Sequence, residues 1–167
     1  MTERSAPPPA TAGSSSCVAV PDHAAVDAAQ NPPEGYARMK PYGAFHEYVG
    51  PMYFRVDEHG QTSVGMRVAP HHLNLGQVLH GGMLCMLADT ALTFGCGQTS
   101  EPPVRTLTTG ITLQIAWGAQ LGDWVEARIE MVRIGKRVGF PTCMFWCNGQ
   151  KIGHASGTFQ VMGVRPV

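Results

Sequence analysis

The sequence predicts an α+β domain in which one curved antiparallel sheet wraps around a long central helix. Three observations carry that expectation. Residues 83–97 are apolar on every side, the pattern of a helix buried on all faces. The chain after them reads as four strands in succession, with alternating runs and turn residues between them. No regular alternation of strands and helices occurs, which argues against a doubly wound parallel sheet. One antiparallel sheet and one apolar helix satisfy all three if the sheet curves around the helix.

The elements follow in order. Residues 1–35 carry Pro7-Pro8-Pro9, Ser14-Ser15-Ser16 and Pro32-Pro33 with many alanines and no sustained apolar period. They read as a disordered or loosely attached extension, with the domain proper spanning 36–167. Tyr42, Phe45 and Tyr48 recur at three-residue spacing within 39–51. A short helix closing one end of the core, ended by Gly50-Pro51, is expected there. Alternation over 52–57 and 63–68, with His59-Gly60-Gln61 between, reads as a hairpin. A loop over 69–82 leads into the central helix.

Beyond the helix, Leu107, Thr109, Ile111, Leu113, Ile115 and Trp117 fall on one strand face. Thr108 falls on the opposite face, with Thr112 and Gln114. Val125, Ala127, Ile129 and Met131 alternate with Glu126, Arg128 and Glu130. Strands over 138–147 and 151–162 are joined by Asn148-Gly149, a strong two-residue hairpin signal. Gly153, Ala155 and Gly157 share a face of the last strand, where small side chains would let a helix lie close.

Composition narrows the function. The chain has 167 residues, enough for one domain. Charged residues make up 14%, well below the ~25% usual for soluble domains, so self-association is expected to cover neutral surface. Zero formal net charge argues against a nucleic-acid binder and a polybasic membrane anchor. Five cysteines without a CxxC read as free thiols in a reducing cytoplasm. No apolar run approaches the roughly 20 residues of a bilayer span.

Asp89 is the one charged residue between His80 and Glu101. A carboxylate on a buried helix is costly unless it is bonded or used. A structural Asp satisfied by neighbouring groups is the plain alternative. His80-Gly81-Gly82 precedes the helix, whose N-terminus offers free N–H groups that glycine lets another molecule approach. Such a group can polarise a carbonyl oxygen, although a tight turn explains two glycines equally well. Gly82 and Asp89 share a helix face, yet their backbones lie about 10 Å apart. One carbonyl could hardly reach both, so a shared substrate would take the two groups from different subunits. Thr93, one turn beyond Asp89, could bond to it or to water. The Asn74 amide could orient a substrate oxygen. His71, His72 and His80 lie close in sequence but lack the spacing of a metal site, and none is expected.

The pattern Asn74…His80-Gly81-Gly82…Asp89…Thr93, with the string HGGMLCMLADTAL at its centre, resembles the hotdog-fold acyl-CoA thioesterases, especially their PaaI-like branch. The resemblance runs over about residues 42–162. It implies a hotdog fold, a dimer with two interfacial sites, and often a tetramer. It implies hydrolysis of an aryl- or medium- to long-chain acyl-CoA, with coenzyme A part of the substrate and no separate cofactor. Asp89 matches the catalytic nucleophile or general base, and Gly82 the glycine whose N–H polarises the thioester carbonyl. His80 matches the histidine that holds this turn, and Asn74 the residue that orients water or carbonyl. Thr93 matches a hydroxyl supporting the carboxylate, and Thr108 a Ser/Thr from the partner strand that positions water. Lys136 and Arg137 match possible CoA phosphate contacts. Gly118 departs from the family, which often carries proline there. Two alternatives stand beside this reading: a hotdog hydratase or dehydratase, whose His-with-carboxylate motifs are not found, and a non-catalytic acyl-CoA-binding module.

Overall fold

The computed structural model describes residues 23–98 and 100–164. A helix α1 (His23–Gln30) comes first, then a two-residue strand β1 (Ala37–Arg38) and a short helix α2 (Ala44–Val49). The hairpin β2 (Tyr53–Val56) and β3 (Thr62–Arg67) follows, and a 3-10 turn over Pro70–His72 leads to the long helix α3 (Gly81–Gln98). Four strands complete the chain: β4 (Val104–Ile115), β5 (Trp124–Ile134), β6 (Val138–Cys147) and β7 (Gln150–Val164).

All strand pairs are antiparallel, and the order across the seven-stranded sheet is β1-β2-β3-β5-β6-β7-β4. Helix α3 therefore carries the chain from the middle of the sheet to its far edge, where β4 pairs with β7 alone. The helix packs against β3, β4, β5, β6 and β7, which is possible only if the sheet curves. This is the curved sheet around one helix that the buried-helix pattern and the strand succession predict, and the hotdog fold that the resemblance implies.

Leu87, Ala88, Ala91 and Leu92 are fully buried on α3, facing a layer that includes Val64, Met66, Val125, Ala127, Phe145 and Phe159. Each buried Leu or Phe contributes about 1.5–3 kcal/mol against its exposed state. Not every side of α3 is covered. Gly82 is exposed, and Cys85, Met86, Asp89 and Thr93 are half-buried, at the three- and four-residue steps of one face. The apolar Cys and Met on this stripe hide it from a purely hydrophobic reading.

Four local expectations change. Part of the stretch read as a loose extension forms α1, where Asp27 accepts hydrogen bonds from Arg38 Nη1 at 2.6 Å and Tyr53 Oη at 2.7 Å. Residues 1–22 of that extension lie outside the described residues. Helix α2 exists but buries His46 and Val49, while Phe45 and Tyr48 are 68% and 83% exposed. The three-residue spacing marked a face correctly but not which face turns inward.

The third change is in β4. Thr108 pairs with Phe159 and Gly110 with Thr158, so Thr109 is an extra residue in a β-bulge. One extra residue inverts the alternation. Thr108 before the bulge and Ile111 and Leu113 after it all turn toward the helix side, and Leu107 is 54% exposed. The fourth concerns Gly153, whose neighbour is β4 rather than a helix. A Cβ there would lie 2.4 Å from the Gln114 carbonyl oxygen. Gly157 does face α3, with Leu92 Cδ1 3.3 Å from the equivalent position.

Replacing Gly153 by Ala forces backbone apart and is expected to cost about 1–3 kcal/mol or more. The same change at Gly97, whose Cβ would meet nothing within 4 Å, is expected to be neutral or to stabilise. Thermal unfolding of the two variants beside the parent checks the opposite signs.

Candidate active site

The uncovered stripe of α3 opens into a cleft of about 470 Å³ at the free edge of the sheet. Gly82, Cys85, Met86 and Asp89 line it from the helix, residues 108–111 from β4, and Phe45 from α2. Thr108 Oγ1 donates a hydrogen bond to Asp89 Oδ1 at 2.7 Å. The bulge makes this possible, because unbroken alternation would aim Thr108 away from the helix. Asp89 forms no ion pair among the described residues. One carboxylate oxygen is thus held by a hydroxyl while the group stays half-open to the cleft. A carboxylate fixed in this way can take a proton from water or attack an electrophilic carbon.

The helix N-terminus supplies the second component. Gly82 N donates to His80 Nδ1 at 2.8 Å, while the Met83 and Leu84 N–H groups reach the His80 carbonyl at 2.9 and 3.2 Å. The imidazole therefore caps the very N–H that the resemblance assigns to a substrate carbonyl. An acceptor on Nδ1 places the proton of the neutral ring on Nε2.

The turn itself is tied to helix α2. His80 N donates to the His72 carbonyl at 2.8 Å, and His72 Nε2 lies 2.6 Å from the Val49 carbonyl at the end of α2. His72 Nδ1 accepts from Ala69 N at 3.0 Å, so Nε2 carries the hydrogen. His71 Nε2 lies 3.0 Å from the same Val49 oxygen. Both partners of His72 suit the neutral ring, and burial pushes its pKa below the usual 6.5. No group of three or more His, Cys, Asp or Glu able to hold a metal occurs among the described residues.

Other expected site residues lie elsewhere. Asn74 Oδ1 accepts from Gly76 N at 2.8 Å and Val78 N at 3.4 Å, so it shapes its own loop and does not line the cleft. Thr93 stands on the same stripe as Asp89 but makes no hydrogen bond to it among the described residues. Lys136 and Arg137 are exposed in the turn between β5 and β6, outside the cleft lining. Cys85, Phe45 and residues 109–111 of β4 also line the cleft, and the sequence reading did not place them there. Cys85 occurs one turn before Asp89 on the helix, a spacing that could have marked it. Phe45 was placed on a helix closing the core, although Gly43 and Gly50 on either side already marked α2 as a separate short piece.

With this geometry in place, comparison with known proteins decides the family. Residues 76–154, which contain the helix and every cleft residue but Phe45, match the Thioesterase superfamily. A Pseudomonas aeruginosa protein named as a candidate esterase is 30% identical over 131 residues, 78% of this chain and 98% of that one. The chain belongs to the thioesterase superfamily. Its reaction class is thioester hydrolysis, and its architecture is PaaI-like. The Escherichia coli PaaI protein of the phenylacetic acid degradation operon superposes with a TM-score of 0.64 at 24% identity, covering 74% of this chain and 87% of that one. A Streptococcus mutans protein solved with acetyl-CoA bound superposes with a TM-score of 0.60 at 18% identity, covering 80% and 93%. At these identities the two structures speak for the fold.

One prediction follows from the Asp89–Thr108 pair and one from His72. Replacing Thr108 by Val keeps the shape and removes the hydrogen bond to Asp89. A bond to a charged group contributes about 1.5–3 kcal/mol, so kcat/KM for thiol release is expected to fall by about 10–100-fold, with Ser restoring most of it. The second concerns His72. Its unfolded-state pKa of 6.5 exceeds its folded value, so the unfolded chain binds more protons below pH 6.5. Stability from this group is complete above pH 6.5 and is lost as pH falls toward the folded pKa. The buried His46, also depressed, adds in the same direction. The midpoint temperature is expected to drop between pH 7 and 5, with a shallower drop in His72→Gln.

Proposed function

We propose that this protein is an acyl-CoA thioesterase that works as a dimer, with Asp89 as its catalytic carboxylate. Its substrates are aryl- or medium- to long-chain acyl-CoA thioesters, and its products are the free acid and CoA. The observation that carries the reading is the Asp89–Thr108 pair, a half-open carboxylate oriented by a hydroxyl in a cleft that also holds the N-terminal turn of α3. The acetyl-CoA-bound relative of the same fold adds support for the CoA moiety.

The substrate carbonyl takes the place of His80 Nδ1 as acceptor from the Gly82 N–H. The negative charge that grows on that oxygen is then met by a backbone donor at the positive end of a helix. Asp89 either removes a proton from water, whose oxygen adds to the carbonyl carbon, or attacks that carbon itself to give an anhydride that water then opens. In both routes the carbon–sulfur bond breaks and CoA leaves as the thiolate. Gly82 and Asp89 of one helix lie about 10 Å apart, too far to serve one carbonyl. The reading therefore pairs Gly82 of one subunit with Asp89 of a second. The free edge of β4, which borders the cleft, is where that copy would bring its helix close, and paired dimers give a tetramer. Lys136 and Arg137 serve as phosphate contacts for CoA, and Asn74 and Thr93 as supports of the turn and of the carboxylate face. The catalytic domain spans 36–167.

The test is thiol release from aryl- and fatty acyl-CoA substrates by the parent and by Asp89→Asn, with mass measured in solution. The expected result is turnover by a dimer or tetramer and a loss of at least about a thousandfold in kcat for the variant, as for other groups that act directly in proton transfer or attack. Equal turnover in the two proteins would remove Asp89 from the reaction. Formation of an enoyl product without thiol would mark a hydratase instead.

A further inference from the structure

A second chamber of about 240 Å³ lies beside the Asp89 cleft, around the N-terminal turn of α3. Three residues line both spaces: Phe45, Gly82 and Met86. These three form the neck between them. The rest of the chamber wall is Val49, Leu73 and Met83 with the imidazoles of His71, His72 and His80, and it carries no carboxylate. The cleft, by contrast, holds Asp89, Thr108 and Thr109.

The neck residues differ in kind. Gly82 has no side chain, and Met86 is a flexible thioether that reshapes easily. Phe45 is a rigid ring, and its helix is fastened at its end, where the Val49 carbonyl meets two imidazoles, while Tyr42 N donates to the His46 ring within the same segment at 3.0 Å. Gly43 and Gly50 flank the helix with φ of 124° and 108°, a backbone that side chains rarely allow. The ring is 68% exposed, so its place in the neck is not one it needs for folding.

We infer that Phe45 is the specificity-determining residue of this enzyme, a fixed wall at the neck that sets how long an acyl group the chamber beyond Gly82 accepts. The inference rests on the thioesterase reading. A carbonyl held at the Gly82 N–H sits at the neck itself. The chamber holds no carboxylate, so an acyl chain that leaves this point on the side away from Asp89 runs into the chamber past Phe45. Shortening the side chain widens the neck and joins the two spaces. Enlarging it narrows the passage.

The experiment measures kcat/KM over a series of straight-chain acyl-CoA thioesters from butanoyl to hexadecanoyl for the parent, Phe45→Ala and Phe45→Trp. The ratio of long-chain to short-chain kcat/KM is expected to rise about tenfold or more in the Ala variant and to fall in the Trp variant, since one methylene in an apolar pocket already discriminates on that scale. Dissociation constants for the matching non-hydrolysable acyl-CoA thioethers are read in parallel. If the parent hydrolyses nothing, the thioesterase reading fails while the thioether series still tests the wall. A chain-length profile that is the same in all three proteins, by turnover and by thioether binding, overturns the role of Phe45. Opposite shifts in the two variants support it, and the Trp variant excludes simple loosening of the fold as the cause.

Discussion

A carboxylate on a helix that the sheet wraps on nearly every side needs an opening and a partner at the same spot. Asp89 meets that constraint, and much of the architecture can be traced to it. The opening is the uncovered stripe of α3, and it exists because the sheet ends at β4 instead of closing around the helix. The partner is Thr108, supplied by that last strand. A sheet one strand wider would bury the carboxylate at a cost of several kcal/mol unless it became protonated or paired. A sheet one strand narrower would leave it without its hydroxyl.

A second set of constraints runs through the loop before the helix. His72 joins three pieces with four hydrogen bonds: one to the Val49 end of α2, two with the Ala69 backbone and one from the His80 turn. The side chain that lines the neck and the N–H group at the helix start thus share one anchor. The buried imidazole, whose surroundings favour its neutral form, holds the Val49 and Ala69 ends, and the main-chain carbonyl of the same residue holds the His80 turn.

The fold was legible because its signals are periodic and local. Residues 83–97 are apolar all round, and the four later strands alternate cleanly, so helix, strands and their order follow from spacing alone. Asp89 stood out as the one charge in a long neutral stretch. Less legible were features set by a single extra residue or by competition between faces. The bulge at Thr109 leaves no mark on composition, yet it inverts the face of half a strand and turns Thr108 from an outward residue into a neighbour of Asp89. In α2 the aromatic spacing was real, but His46 and Val49 fill the core there. Asn74 has the chemistry to orient a substrate, but its oxygen is occupied by backbone N–H groups two and four residues on, an arrangement that residue type alone does not reveal.

The bulge also bears on how this chain can change over generations. A longer loop, such as the one over residues 116–123 between β4 and β5, can gain or lose a residue and leave the strands on either side in register. In β4 the count between Thr108 and Ile111 is different in kind. Deleting Thr109 would restore regular alternation, which at the level of the strand looks like a repair, and would swing either the Thr108 hydroxyl or the Ile111 side chain to the far side of the sheet. Descendants of this gene can therefore vary the letters of this edge far more freely than its length, and an alignment gap at this point would signal a change in the Asp89 cleft before Asp89 or Thr108 had itself been replaced.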